Sequence, residues 1–261
     1  MQNPSSILIT GASSGIGAAL AKAYASKDIN LFLTARSKKR IEEIKLFCQN
    51  KGAKVNILIC DICDEGKITA WIEKCDNEKP IDLVIANAGI SAGTSGQNES
   101  SEQVKNIFST NINGVLNTIQ PLIDRMTKRK NGQIAIMSSL AGYRGLPSSP
   151  AYSASKAAVR VYGEALRGTV AKNNVKVTVI TPGYIKTPMT DVNKFPMPFL
   201  VEVDDAANLI KRKLQKNPAR IAFPFIMYFV IYLLTFLPCW LTDSIFSRLP
   251  AKDSFEKQGD T

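Results

Sequence analysis

The sequence predicts an α/β fold built on one doubly wound parallel sheet, and three observations predict it. Short β-branched runs alternate with helix-length segments through the first 180 residues. Those runs are apolar almost throughout, as strands covered by helices on both faces must be. A glycine-rich turn, TGASSGIG, joins the first run to the first helical segment. In order, strands are expected over 5–10, 30–35, 55–60, 82–86, 133–138 and 175–181. Helices are expected over 16–26, 38–50 and 64–75. A long helical region over 102–129 is interrupted by Gly114 and Pro121, so a bend is expected there. A further helix starts near 152, and each crossover is right-handed. Beyond Pro182 the pattern turns irregular: a proline-rich apolar stretch, about 187–200, reads as a substrate lid, followed by a helix over 204–214 and an apolar helix over about 225–237.

Composition narrows the chemistry. With 261 residues and 45% apolar side chains, the chain has room for one catalytic domain over 1–261. Thirty-three basic against 22 acidic residues leave +11 at pH 7, and the pI is 9.4, a balance that favours anionic partners. Nucleic acid is not expected, because the basic residues are dispersed and no recognition module is present. There is no histidine, which excludes an imidazole base and a histidine-held metal. Cys60 and Cys63 have CxxC spacing but no second pair, so no metal site is expected. The odd count of five cysteines, with no secretory segment at the start, points to a reducing, cytoplasmic location.

The glycine turn follows a strand and opens a helix, the context in which such a motif has meaning. Gly11 permits the tight turn, Gly15 lets backbone approach a pyrophosphate, and Gly17 allows close packing of helix on sheet. The helix N-terminus offers N–H groups to phosphate. At the end of the second strand Ala35 is followed by Arg36 rather than by a carboxylate. A cation there suits a 2′-phosphate, so NADP(H) is favoured over NAD(H), with Arg36 on the phosphate. Tyr152 and Lys156 stand four apart and share a helix face, so an ammonium is expected to lower the pKa of a phenol that serves as proton donor and acceptor. Ser139 falls at the C-terminal end of the fifth strand, with Ser138 as its neighbouring candidate.

In these features the chain resembles the short-chain dehydrogenase/reductase family. The matches are TGASSGIG, Asn87-Ala88-Gly89 after the fourth strand, Asn111, Ser139, Tyr152-x-x-x-Lys156 and Pro182-Gly183. The resemblance implies a single-domain Rossmann-like fold and an NAD(P)-dependent oxidoreductase that interconverts a ketone or aldehyde with an alcohol. It implies Asn111, Ser139, Tyr152 and Lys156 as the catalytic set, selects Ser139 by its offset from Tyr152, and gives Asn111 a water that links Lys156 to solvent. Cofactor contacts are implied at Gly11, Ser13, Ser14, Gly15, Ile16, Gly17, Arg36, Asp61 (adenine edge), Asn87, Ala88, Gly89, Tyr152, Lys156 (nicotinamide ribose), Pro182, Gly183, Ile185 and Thr187.

Substrate walls are expected over 91–96, 141–149 and 189–200. Leu146, Met189, Phe195, Met197 and Phe199 there favour a lipophilic carbonyl or alcohol substrate. A fatty-acyl or other lipid-intermediate ketoreductase is one alternative, and a non-catalytic NADP-binding regulatory protein is another. The segment FIMYFVIYLLTFL has no polar face and as a helix spans only about 20 Å, too short for a bilayer. It is expected to be covered by another subunit of a homo-oligomer, by its own domain, or by a membrane surface reached peripherally with help from Lys211, Arg212, Lys213, Lys216 and Arg220.

Overall fold

The structure, a computed structural model, describes residues 4–193, 195–247 and 252–253. Seven parallel strands form one sheet in the order β3-β2-β1-β4-β5-β6-β7. They are β1 (Ser6–Thr10), β2 (Asn30–Ala35), β3 (Lys54–Ile59), β4 (Leu83–Ala86), β5 (Gly132–Met137), β6 (Val175–Pro182) and β7 (Arg220–Phe223). The sequence reading missed β7. Its four residues, RIAF, lie between Pro218 and Pro224 and open on Arg220, the last residue of the basic run, and β7 pairs in parallel with the end of β6.

Side chains alternate across a strand, so each strand feeds two cores. On one face Ile7, Ile9, Leu31, Leu33 and Ile85 pack beneath α1 (Gly15–Tyr24), α2 (Lys38–Asn50) and α8 (Val203–Leu214). On the other, Leu8, Phe32, Val84, Ile134 and Ile136 meet α3 (Glu65–Glu78), α5 (Gly114–Lys128) and α6 (Pro150–Val170). Burying each such side chain is worth roughly 1.5–3 kcal/mol. The strand order reverses between β1 and β4, and ligands of open α/β sheets bind outside the carboxyl ends of the strands at that point.

The expected long helix is three pieces. α4 (Ser101–Phe108) leads through a π-helical turn, Ser109–Asn113, into α5, which carries Pro121 inside it. The interruption therefore precedes Gly114, and Pro121 ends nothing.

After β7 the apolar segment forms α9 (Phe225–Leu234), and a second helix, α10 (Cys239–Phe246), follows; α7 (Pro188–Asp191) is a short helix in the lid region. No residue of α9 is buried, and Phe225, Phe229, Phe236 and Trp240 are all more than half exposed. α9 rests on the carboxyl edge of the sheet through Tyr228 and Tyr232, whose rings lie 5.6 and 6.3 Å from that of Tyr143. The basic residues expected beside it lie elsewhere. Lys211 donates to the carbonyl of Ala23 at the far end of α1, and the Leu214 carbonyl accepts from Gln133 at the start of β5. The Lys211–Lys216 run thus occupies the amino edge of the sheet. Arg220 alone reaches α9, at Tyr228, and it is paired with Glu164. Among the described residues no helix is long and apolar enough to cross a membrane.

Candidate active site

The glycine turn is built for close approach. Gly11 has φ +66, and a Cβ there would meet Ala88 Cα at 2.8 Å; a Cβ on Gly17 would lie 2.3 Å from the Gly11 carbonyl oxygen. The loop after β4 is clamped onto this turn. Thr10 Oγ1 accepts from the N–H groups of Asn87 (3.1 Å) and Ala88 (3.2 Å), while Asn87 Nδ2 donates to the Thr10 carbonyl at 3.0 Å. Sequence reasoning passed over Thr10 as a brace; its signal was a hydroxyl on the last residue before the turn.

Ser13 and Ser14 lead into α1, with Ser14 at its N-cap, and Ile16 packs against the core beneath. The Ser14 side chain makes no cap hydrogen bond. Pro182 ends β6, and Gly183 donates its N–H to the Phe223 carbonyl at 2.8 Å. Ile185 is buried and bridges to Val201. Thr187 caps α7, and its Cγ2 lies 3.2 Å from where a Cβ on Gly15 would stand, which brings the segment after β6 over the glycine turn. A turn with bare backbone at Gly11 and Gly15, N–H groups at a helix start and a covering segment fit a dinucleotide pyrophosphate.

At the ends of the adjacent strands β2 and β3, Arg36 and Asp61 face each other across 3.9 Å, with 65% and 46% of their side chains exposed. A pair this exposed contributes at most about 1 kcal/mol, so Arg36 can turn to another anion at little cost.

The groups expected to react gather at the end of β5. Ser138, the neighbouring candidate, spends its hydroxyl on the Lys156 carbonyl (2.7 Å) and is buried. Ser139 Oγ accepts from Ala141 N–H at 3.2 Å and donates to the Pro182 carbonyl at 3.4 Å, and it lies near enough to the Tyr152 phenol to influence its ionisation. Lys156, 4% exposed, donates from Nζ to the Met137 carbonyl at 3.0 Å. Asn111 sits in the π-helical turn with no exposure: Oδ1 accepts from Ile90 N–H (2.8 Å), and Nδ2 donates to the Ile90 carbonyl (2.9 Å) and Ser155 Oγ (3.0 Å). A Cβ on Gly89 would stand 3.0 Å from Asn111 Oδ1 and 3.2 Å from Lys156 Nζ, so those two groups converge at Gly89.

One expectation changes here. Burial pushes the Tyr152 phenol above its ordinary pKa, and Ser139 pulls it only part of the way back. The ammonium expected to lower it lies 5.8 Å from the ring centroid and is directed at Met137. Asn111, expected to hold water, has both amide N–H groups committed to protein acceptors. Its side chain has only the second lone pair of Oδ1 left to offer a water.

A cavity of about 390 Å³ lies between residues 141–147 and the outer face of α6, but none of Asn111, Ser139, Tyr152 and Lys156 lines it. The 141–147 part of the expected substrate wall, Leu146 included, lines this cavity. In the segment expected to form a lid, Phe195 meets Tyr184 edge-on and Met197 accepts from Asn193 at Sδ, whereas Met189 and Phe199 are exposed. Among the described residues no cluster could hold a metal ion.

Residues 5–195 match the family model for short chain dehydrogenase. The chain belongs to this family. An oxidoreductase of Myxococcus xanthus, described as uncharacterized, is 35% identical over 243 residues, 93% of this chain and 96% of its own. A fatty acyl-CoA reductase of Acinetobacter baylyi is 34% identical over 222 residues, 82% of this chain and 74% of its own. A short-chain dehydrogenase from Sphingobium yanoikuyae, solved in complex with NADPH, superposes with a TM-score of 0.79 at 20% identity and covers 97% of this chain and 99% of its own. This short-chain dehydrogenase is thus an NAD(P)H-dependent oxidoreductase of carbonyl and alcohol groups.

Burial brings the Lys156 ammonium from its ordinary 10.5 down to about 8. Between those values the unfolded chain still holds a proton that the folded chain has released. The penalty for burying the charge is therefore full below about pH 8, and stability rises as pH climbs from 8 towards 10.5. The rise from this one group is on the order of 3 kcal/mol. Lys156→Met is expected to remove that share, measured as the difference between urea unfolding at about pH 7.5 and about pH 10. An unaltered difference would mean that the lysine is not buried as a cation.

Proposed function

We propose that this short-chain dehydrogenase prefers NADPH and reduces a lipophilic ketone or aldehyde, or oxidises the matching alcohol. The convergence of Tyr152, Ser139, Lys156 and Asn111 beside the glycine turn carries the reading. When bound, the nicotinamide supplies or takes up a hydride. Tyr152 holds the proton at its phenol oxygen, gives it to the substrate oxygen in reduction and takes it back in oxidation. Ser139 donates a hydrogen bond to the same oxygen as negative charge grows there. The buried Lys156 ammonium holds positive charge close to the phenol and orients the ribose. Asn111 fixes the π-helical turn against Ile90 and Ser155, keeping the wall behind Lys156 in place. Arg36, exposed and free to turn from Asp61, takes the 2′-phosphate.

The lipophilic class is supported by the exposed apolar lid residues Met189, Phe199 and Leu200 and by the name of the Acinetobacter relative. That name also supports the second reading, reduction of a fatty-acyl or lipid intermediate. We further place α9 and α10 against a lipid surface. They carry no charge from Pro224 to Thr242, expose Phe225, Phe229, Phe236 and Trp240, and leave the sheet at the edge where the site opens. With the Lys211–Lys216 run at the opposite edge, this attachment is apolar and insensitive to salt.

Arg36→Ala is expected to weaken NADPH by about 1.5–3 kcal/mol and leave NADH nearly unchanged; equal losses in a binding titration would sink the cofactor assignment. Tyr152→Phe is expected to lower turnover by about 100-fold or more with cofactor affinity retained, and near-normal turnover would remove Tyr152 as the acid. Replacing both Phe229 and Leu233 with Ser is expected to release the protein from neutral and anionic vesicles alike, read by sedimentation. A loss of mass in solution, with vesicle binding absent from the start, would instead show that a second copy of the chain covers the helix.

A further inference from the structure

Beyond the family match, which ends at residue 195, the chain returns to the active site. Residues 252 and 253 pair with the loop after β4: Ser95 N–H donates to the Lys252 carbonyl and Gly93 N–H to the Asp253 carbonyl, each at 2.8 Å. That loop is itself anchored, since Gln103 Nε2 donates to the Gly93 carbonyl at 3.0 Å and Thr94 N–H to the Ser148 carbonyl at 3.0 Å. Gly93 is what admits the returning strand. A Cβ there would stand 2.2 Å from the Lys252 carbonyl oxygen and 2.4 Å from its Cβ.

The result is a second ammonium beside the reacting tyrosine. Lys252 Nζ lies 5.6 Å from the centroid of the Tyr152 ring and donates to Ser91 Oγ at 2.6 Å. An ammonium has three N–H donors, and Ser91 takes one. Burial brings Lys252 down to about 8, against an ordinary 10.5, so the charge sits in a poorly solvated place where an additional acceptor stabilises it. Lys156 already gives the site one cation, bonded to backbone and occupied with the cofactor side. Lys252 comes from the 91–96 side, the side read as substrate wall, where an oxygen of the substrate would give this poorly solvated cation a further acceptor.

We propose that Lys252, steadied by Ser91, is a specificity-determining residue that binds a second oxygen of the substrate, a few bonds from the carbonyl that Tyr152 serves. The substrate class is then a 3-oxoacyl ester or thioester with an apolar tail, and a plain ketone lacks the group that Lys252 reads. This inference rests on the carbonyl-reductase reading above and narrows it.

The test compares ethyl 3-oxohexanoate with 2-hexanone, both with NADPH, in wild type, Lys252→Met and Lys252→Arg. Met keeps the length and apolar stem of the side chain while removing the charge. Wild type is expected to favour the oxoester. Lys252→Met should lower kcat/KM for the oxoester by about 10-fold or more, mostly through KM, and change the plain ketone by less than about threefold. Lys252→Arg, which keeps the charge, should recover most of the preference. NADPH titration of each variant reports whether the fold and cofactor site are intact. Equal losses on both substrates, no loss on either, or a Met variant as selective as wild type would overturn the role of Lys252 while leaving the carbonyl-reductase reading standing. A wild type that reduces neither compound would overturn both.

Discussion

Much of this site is arranged around one buried charge. Lys156 is almost wholly removed from water, and an ammonium in that position must be met by oxygen. The Met137 carbonyl supplies the hydrogen bond because β5 ends there, and the chain then turns through Ser139 instead of continuing the ladder. Asn111 stands close by because the helix before α5 takes a π turn, and the Asn111 amide is in turn fixed by both backbone groups of Ile90. The loop after β4 is thereby drawn towards α6, and Thr10 and Asn87 tie the start of that loop to the glycine turn. Nucleotide turn and proton-transfer group are two ends of one hydrogen-bonded assembly.

The first six strands were legible because burial on both faces of most of them leaves a mark that needs no tertiary knowledge: a run such as LVIA carries no polar side chain. β2 and α2 have the bounds read from the sequence, since a turn-forming segment flanks each. β7 was illegible for another reason. RIAF holds only three apolar residues behind Arg220, which closes the basic run, and its pairing with the end of β6 is what identifies it as a strand. The single helix expected over 225–237 ends at Leu234, and α10 follows Pro238; with apolar residues on every side, periodicity offered no boundary.

In the site, residue types were readable while their partners were not. Tyr152 and Lys156 share a face by spacing alone, but nothing in the spacing says that the ammonium points to a strand-end carbonyl or that burial pushes the phenol up. Lys252 was invisible for a plainer reason. It lies about a hundred residues from Tyr152 in a tail without periodic pattern, and only a glycine with an open face, Gly93, lets the two come together. The basic run at the end of α8 shows the opposite error: near α9 in sequence, it is a strand length away in space.

The π-helical turn at Ser109–Asn113 has a consequence for how this chain tolerates insertion and deletion. Each residue of an α-helix advances the chain by about 100°, and a π turn is a helix that has absorbed one residue too many. Cutting one residue from this turn would restore a regular helix at lower local cost, yet it would swing every side chain on one flank by about a quarter-turn relative to the other. Asn111 could not face Ile90 while Val115, Ile119 and Leu122 of α5 stayed in the core. The irregular turn is therefore a phase adjuster: it lets one continuous helical segment serve a polar site at its start and an apolar core along its length. Length changes should accumulate in the loops around it and be absent within it.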